Sequence, residues 1–255
     1  MLILLPPSEA KRTGGAGPRV DVGPAPLGPA RRAVLRGLRA LLSSGPDAAA
    51  EALLLPAAAR ASALADNRAV TRSPTMAAID RYDGVLYRAL DVPTLSPEQR
   101  TWAESSLVVL SGLFGAVRGD ELIPAYRVPA AASLPGVGAL ERFWRAPLTR
   151  FLEPLASGGL VVDLRSTDYS SMWTPPRLLR GSVIPVRVLV ERDGVRRAIS
   201  FTGKQGKGQF ARELIERAAV GQVATCIDDL TDAAAASGFT PVVRCGPALD
   251  LVVSG

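Results

Sequence analysis

Three lysines stand among 27 arginines, at positions 11, 204 and 207. Arginine stays charged and presents a planar fork of donors, whereas lysine carries a compact ammonium that gives up its proton when buried. In a chain so biased toward arginine, interchangeable lysines would tend to be replaced, so Lys11, Lys204 and Lys207 mark positions where an ammonium or a titratable amine is needed. Glu9, Asp83, Asp163, Asp168, Tyr87 and Tyr169 fall beside them in the segments that follow apolar runs. Acid–base pairs of this kind suit proton transfer, or activation of an amine by a depressed pKa. There is no histidine, which removes the usual general base, the usual zinc ligand and every Ser–His or Cys–His nucleophile pair. If the chain is an enzyme, its catalytic set is Lys204, Lys207, Asp168 and Glu9. The two cysteines, Cys226 and Cys245, stand far apart in no metal-like spacing and read as buried free thiols of a reducing cytosol. Neither a metal nor a cofactor is expected.

Five segments could bind. Ser8-Glu9-Ala10-Lys11 follows an apolar run, and the carboxyl end of a buried strand is where open α/β folds put their sites. Ser111 to Arg127 contains Gly112 and Gly115 for a tight turn, then Arg118, Tyr126 and Arg127 as planar donors for phosphate or carboxylate. Leu134-Pro135-Gly136-Val137-Gly138 leads into a helix and resembles the turn of a helix-hairpin-helix module, in which backbone N–H groups grip a DNA phosphate. Asp163 to Tyr169, with Ser166, follows another strand. Lys204-Gln205-Gly206-Lys207-Gly208 reads as a basic glycine-rich loop before a helix carrying Arg212, a plausible anion cradle though not a P-loop. Between Arg177 and Arg212 nine basic residues face two acidic ones.

The elements that must position these groups are legible in outline. Leu2–Leu5, Leu107–Leu110 and Leu160–Leu164 are apolar runs of strand length. Val183–Val190 and Val195–Phe201 flank Asp193-Gly194, a hairpin signal. Ala30–Leu42, with Arg31, Arg32, Arg36 and Arg39 on its polar face, and Leu140–Leu155 have helical periodicity; Gln209–Ala219 reads as a third helix. Ala48–Ala65 reads as two helical pieces around Pro56, and Pro74–Leu86 as a helix running into a turn. Arg12 to Pro29 reads as a long loop. One mixed α/β domain spanning residues 1–255, a mixed sheet flanked by helices, is the simplest architecture.

A formal charge of +6 and a pI near 9.9 favour phosphate-bearing partners. No apolar run reaches the roughly 18 residues that span a bilayer. Met1–Pro7 has neither a basic flank nor a cleavage site and reads as a strand rather than a signal peptide, and a cytoplasmic chain is expected.

Taken in order, these pieces resemble the YaaA family over nearly the whole chain. The carriers are Met1–Leu5, Asn67, Tyr82-Asp83-Gly84-Val85-Leu86-Tyr87, Trp144, Asp163–Tyr169, Ile199–Arg212 and above all Leu110–Arg127. The resemblance implies a mixed sheet around a deep positive cleft. It also implies binding of double-stranded DNA through a helix-hairpin-helix-like element, and protection of DNA under peroxide stress by limiting free iron. The expected binding residues are Ser8, Lys11, Asn67, Tyr87, Ser111, Arg118, Tyr126, Arg127, Gly136, Gly138, Ser166, Tyr169 and Arg212. The chain departs from the family pattern at Phe114 and Gly119. Two functions follow. The favoured one is sequence-independent binding of duplex DNA. The rival is an enzyme acting on a small anionic or nucleotide substrate, since a phosphate-tracking surface has no need of acidic residues and tyrosines beside lysines. The chain is read as a monomer.

Overall fold

The computed structural model describes residues 1–23 and 26–255. Eight strands form the main sheet: β1 (Leu2–Leu5), β2 (Leu107–Ser111), β3 (Gly115–Arg118), β4 (Val161–Asp163), β5 (Val183–Arg192), β6 (Val195–Arg197), β7 (Thr240–Arg244) and β8 (Ala248–Ser254). Their order is β7-β8-β5-β4-β1-β2-β3, with β6 paired to β5. The five neighbours from β8 to β2 run parallel, and β3, β6 and β7 pair antiparallel. Central parallel strands are covered on both faces, so they read as unbroken apolar runs, and every residue of β1, β2 and β4 is buried.

The helices of six or more residues are α1 (Gly28–Ser43), α2 (Pro46–Ala52), α3 (Arg60–Ala69), α4 (Val85–Leu90), α5 (Pro97–Ser106), α6 (Leu140–Ala156), α7 (Ser200–Ala219) and α8 (Ile227–Ala236), with shorter turns at Ala78–Arg81 and Thr167–Ser170. They flank the sheet, giving a mixed α/β single domain. The long expected loop before α1 covers residues 24 and 25, which lie outside the described residues. The α1 stripe Val34, Leu35, Leu38 and Leu41 is buried, as its periodicity predicts. Arg31, however, points inward. Its guanidinium donates to the carbonyls of Phe114 and Ala116 and pairs with Glu121. α5 begins at Ser96, whose Oγ accepts from Gln99 N–H while Gln99 accepts from the Ser96 N–H. Together these two bonds make a reciprocal capping box.

Three expectations change. First, the residues before Leu134 form no helix. Pro129 removes a backbone donor, and Leu134–Gly138 closes a two-stranded ribbon of Ser133–Leu134 with Gly138–Ala139. Gly136 and Gly138 take φ of +70° and +80°, which the turn requires. This segment is therefore a β-hairpin leading into α6, not a helix-hairpin-helix. Second, Gly203–Gly208 is helical, because α7 starts at Ser200. The β5–β6 hairpin does turn at Asp193-Gly194, with φ of 51° and 73°, but its second strand stops at Arg197. Third, both cysteines are exposed: Cys226 precedes α8 and Cys245 lies in the β7–β8 turn.

Candidate functional site

After β1 the main sheet grows toward β2 on one side; after β4 it grows toward β5 on the other. β1 and β4 are neighbours, so the crevice beyond their carboxyl ends is a topological switch point, where open α/β sheets bind ligands. A cleft of about 1000 Å³ opens there. Its walls come from Pro6–Ala10 after β1, Asp163–Ser170 after β4, the start of α4, the middle of β5 and the first turns of α7.

Lys207 reaches its floor from α7. Its Nζ lies 2.9 Å from the Leu164 carbonyl and 2.7 Å from that of Arg165. Burial pushes its pKa down to about 8; Asp163 opposes the shift and Arg165 adds to it. Asp163 is already engaged, accepting Arg165 Nε at 2.8 Å and Arg165 Nη2 at 2.7 Å. The same guanidinium donates to the Trp173 carbonyl and lies over the Trp173 ring. A buried pair held this way is satisfied on both sides. Lys204, one helical turn before Lys207, is exposed and lines the same cleft.

Behind the β1 exit, all four tyrosines of the chain gather. Tyr126 OH lies 2.6 Å from both Tyr82 OH and Ser111 Oγ. Tyr82 stacks on Tyr87, whose hydroxyl donates to the Pro6 carbonyl at 2.7 Å. Burial raises the pKa of all four, that of Tyr126 to about 12. The Lys11 ammonium sits 4.2 Å from the Tyr126 ring centroid and 5.3 Å from that of Tyr82, and donates to the Ser8 carbonyl. Burial, followed by repulsion from Arg127, pushes the Lys11 pKa down to about 7, against attraction from Asp66 and Glu9.

The cleft thus gathers Ser8, Glu9, Tyr87, Arg127, Ser166, Asp168, Tyr169, Lys204 and Lys207 in its walls. Lys11, Tyr126 and Ser111 form the layer beneath, with Tyr126 and Ser111 buried. Five predicted positions serve elsewhere. Asn67, 1% exposed, exchanges two 2.9 Å hydrogen bonds with the Arg127 backbone, fixing the strap that carries Arg127 to its ion pair with Glu9. Arg118 donates to the Ser105 carbonyl, at the end of α5. Arg212 closes the end of α4 through the carbonyls of Leu90 and Asp91 and through Thr94 Oγ1. Gly136 and Gly138 sit in their exposed turn, outside the cleft lining.

The sequence reading missed Arg165, Tyr82 and Arg81. Arg81 is fully buried and donates only to backbone carbonyls, those of Arg12, Gly14, Pro74 and Ile123, which pins the chain leaving Lys11. One arginine among 27 gives no signal for this. Rarity did single out the lysines. Every ion pair among the described residues uses an arginine, and none involves a lysine.

Comparison with known proteins adds a lineage to this geometry. The family model described as peroxide stress protein YaaA matches residues 1–240. A UPF0246 protein of Streptomyces coelicolor is 39% identical over 218 residues, covering 84% of this chain and 83% of the relative. One from Corynebacterium efficiens is 36% identical over 254 residues, covering 96% of each. One from Corynebacterium glutamicum is 37% identical over 221 residues, covering 84% of each. A match of this length means that the chain belongs to the YaaA peroxide stress protein family.

Proposed function

We propose that the cleft at the β1–β4 switch point binds a small anionic ligand, bearing phosphate or carboxylate, through Lys204 and Lys207. The observation that carries this reading is the meeting, in a walled cleft at that position, of two lysines that pair with no carboxylate among the described residues. The arginines around them are already engaged: Arg127 with Glu9, Arg165 with Asp163, Arg187 and Arg244 with Asp250, Arg88 with Asp83. An incoming anion therefore finds the two ammonium groups as its uncommitted cations, while Asp168 and the tyrosine hydroxyls offer polar groups beside them.

Binding of duplex DNA is the second reading. What favours it is outside the cleft. Arg32, Arg36 and Arg39 are exposed along α1, and Arg192, Arg196 and Arg197 on the β5–β6 hairpin, in a chain of net charge +6. A duplex follows exposed charge and has no need of a walled cleft.

Calorimetric titration with inorganic pyrophosphate separates the two. The wild type takes up one pyrophosphate saturably, and Lys204→Gln/Lys207→Gln weakens the affinity by at least about a hundredfold, since charged hydrogen bonds contribute roughly 1.5–3 kcal/mol each. Equal affinity in both proteins, or no heat in either, contradicts the reading.

A further inference from the structure

Lys207 is more than a positive charge at the floor of the cleft. A protonated amine has three N–H donors and a neutral amine has two. Two backbone carbonyls, of Leu164 and Arg165, lie 2.9 and 2.7 Å from its Nζ, and both directly follow the buried strand β4. When the amine is neutral, these acceptors take both N–H groups. The lone pair then occupies the remaining tetrahedral direction, on the side of the nitrogen away from the carbonyls. Lys207 lines the cleft, and a ligand there can approach the nitrogen from that side. Among the described residues no carboxylate forms an ion pair with Lys207, and Asp163, the nearest candidate, is held bidentately by Arg165. The arrangement fixes the nitrogen, leaves its lone pair free and withholds the counter-ion that would keep it protonated.

The chemistry of such a group is nucleophilic addition. We propose that Lys207 condenses with the carbonyl carbon of an anionic oxo acid, whose acid group is held by Lys204 one helical turn away; this rests on the ligand reading above. The Lys207 nitrogen attacks the carbonyl carbon and a C–N bond forms. The carbonyl π pair moves to oxygen, which takes a proton and gives a carbinolamine. The carbinolamine hydroxyl leaves as water with a further proton from the cleft solvent, while one N–H proton has been released. The products are a protonated imine and water, one proton being consumed overall. The imine keeps a single N–H, enough for one of the two carbonyls.

The neighbouring groups suit the addition. Lys204 is on the same helix face and lines the same cleft, so it can neutralise the acid group without competing for Asp163. Asp168 and Ser166 line the wall that follows β4 and can exchange protons with the carbinolamine oxygen. Burial, which holds the Lys207 pKa near 8, keeps a substantial share of the amine neutral at mildly alkaline pH, whereas an ordinary lysine is almost wholly protonated there. Lys204, exposed on the same helix, serves as an internal control.

The experiment is reductive trapping on the wild-type protein. Glyoxylate with sodium cyanoborohydride at pH 8 converts an imine to a carboxymethyl amine, and peptide mass mapping distinguishes the three lysines and the N-terminal amine. Lys207 is expected to be modified at least about tenfold faster than Lys204, with a rate that saturates in glyoxylate. Pyrophosphate is expected to slow Lys207 and leave the N-terminal amine unchanged. Modification of Lys207 no faster than of Lys204, a rate strictly proportional to glyoxylate, or labelling centred on Lys11 overturns the proposal. Should pyrophosphate bind while Lys207 stays unmodified, the imine is refuted and the ligand reading survives. Should pyrophosphate not bind either, both fall.

Discussion

At the scale of single residues, the lysines carry the account, and their rarity made them visible before any fold was known. Their environments were not visible. Lys11 lies between two tyrosine rings with Arg127 beside it, and Tyr126 and Arg127 come from a segment more than a hundred residues further along the chain. That environment has a consequence for stability. The folded-state pKa of about 7 is below the ordinary lysine value, so between these values the unfolded chain binds more protons than the folded one. Stability contributed at this site is therefore lowest below pH 7 and recovers as pH rises toward the unfolded value. Lys11→Met removes the buried charge. It is expected to raise the denaturant midpoint most at pH 6, with the gain shrinking toward pH 9. A gain that is constant or grows with pH contradicts the burial assignment. Asn67 teaches a different lesson. The family resemblance implied a binding role, yet the pairing of its amide with one backbone N–H and one C=O explains why asparagine is needed there.

At the scale of elements, strand β1, the β5–β6 hairpin and helices α1 and α6 were legible from periodicity and turn residues. The start of α7 was not. Gly203, Gly206 and Gly208 cost roughly 1 kcal/mol each in a helix, so they read as a loop. At Gly206 and Gly208 the helix needs glycine because α7 approaches its neighbours closely, whereas a Cβ at Gly203 would meet nothing within 4 Å. A Cβ at Gly208 would fall 2.2 Å from the Leu86 carbonyl oxygen, and one at Gly206 would fall 2.9 Å from Val188. This close packing on α4 and β5 brings the Lys204–Lys207 face to the cleft. Gly208→Val is expected to destabilise the protein by about 3 kcal/mol or more, through overpacking against α4. It should also weaken pyrophosphate binding in whatever fraction remains folded. By contrast, Gly138→Ala, in an exposed turn with φ of +80°, should cost about 1 kcal/mol through strain and leave pyrophosphate affinity unchanged. Denaturant melts and calorimetry on the two variants check the pair. A mild Gly208→Val, or a Gly138→Ala that loses the ligand, goes against it.

At the scale of the whole molecule, the class of fold was readable but the strand order was not. Nothing local says that Leu2–Leu4 lies beside Val161–Asp163 on one edge and that Ile3–Leu5 lies beside Leu107–Val109 on the other. Those pairings create the switch point, and with it the site. The chain's positive charge was readable too, but its distribution was not: the cleft arginines are paired, while the rows of Arg32, Arg36 and Arg39 on α1 and of Arg192 and Arg197 on the β5–β6 hairpin are exposed and form no ion pair among the described residues. If duplex DNA binds, it should bind to those rows. Reversing Arg32 and Arg36 to glutamate should then lower duplex affinity, and the salt slope should fall by about 0.9 for each phosphate no longer neutralised. Lys204→Gln/Lys207→Gln should leave duplex binding nearly unchanged in fluorescence anisotropy. A duplex that depends on the two lysines more than on the arginine rows would move DNA into the cleft.

The claim on which the rest depends is that an anion sits at the carboxyl ends of β1 and β4. Tungstate, a heavy oxyanion, makes that visible by anomalous diffraction from crystals of the wild-type protein soaked in it. The account predicts a strong peak inside the cleft within hydrogen-bond reach of Lys204 and Lys207, displaced when pyrophosphate is added. Peaks confined to the exposed arginines of α1 and the β5–β6 hairpin, with the cleft empty, would contradict it.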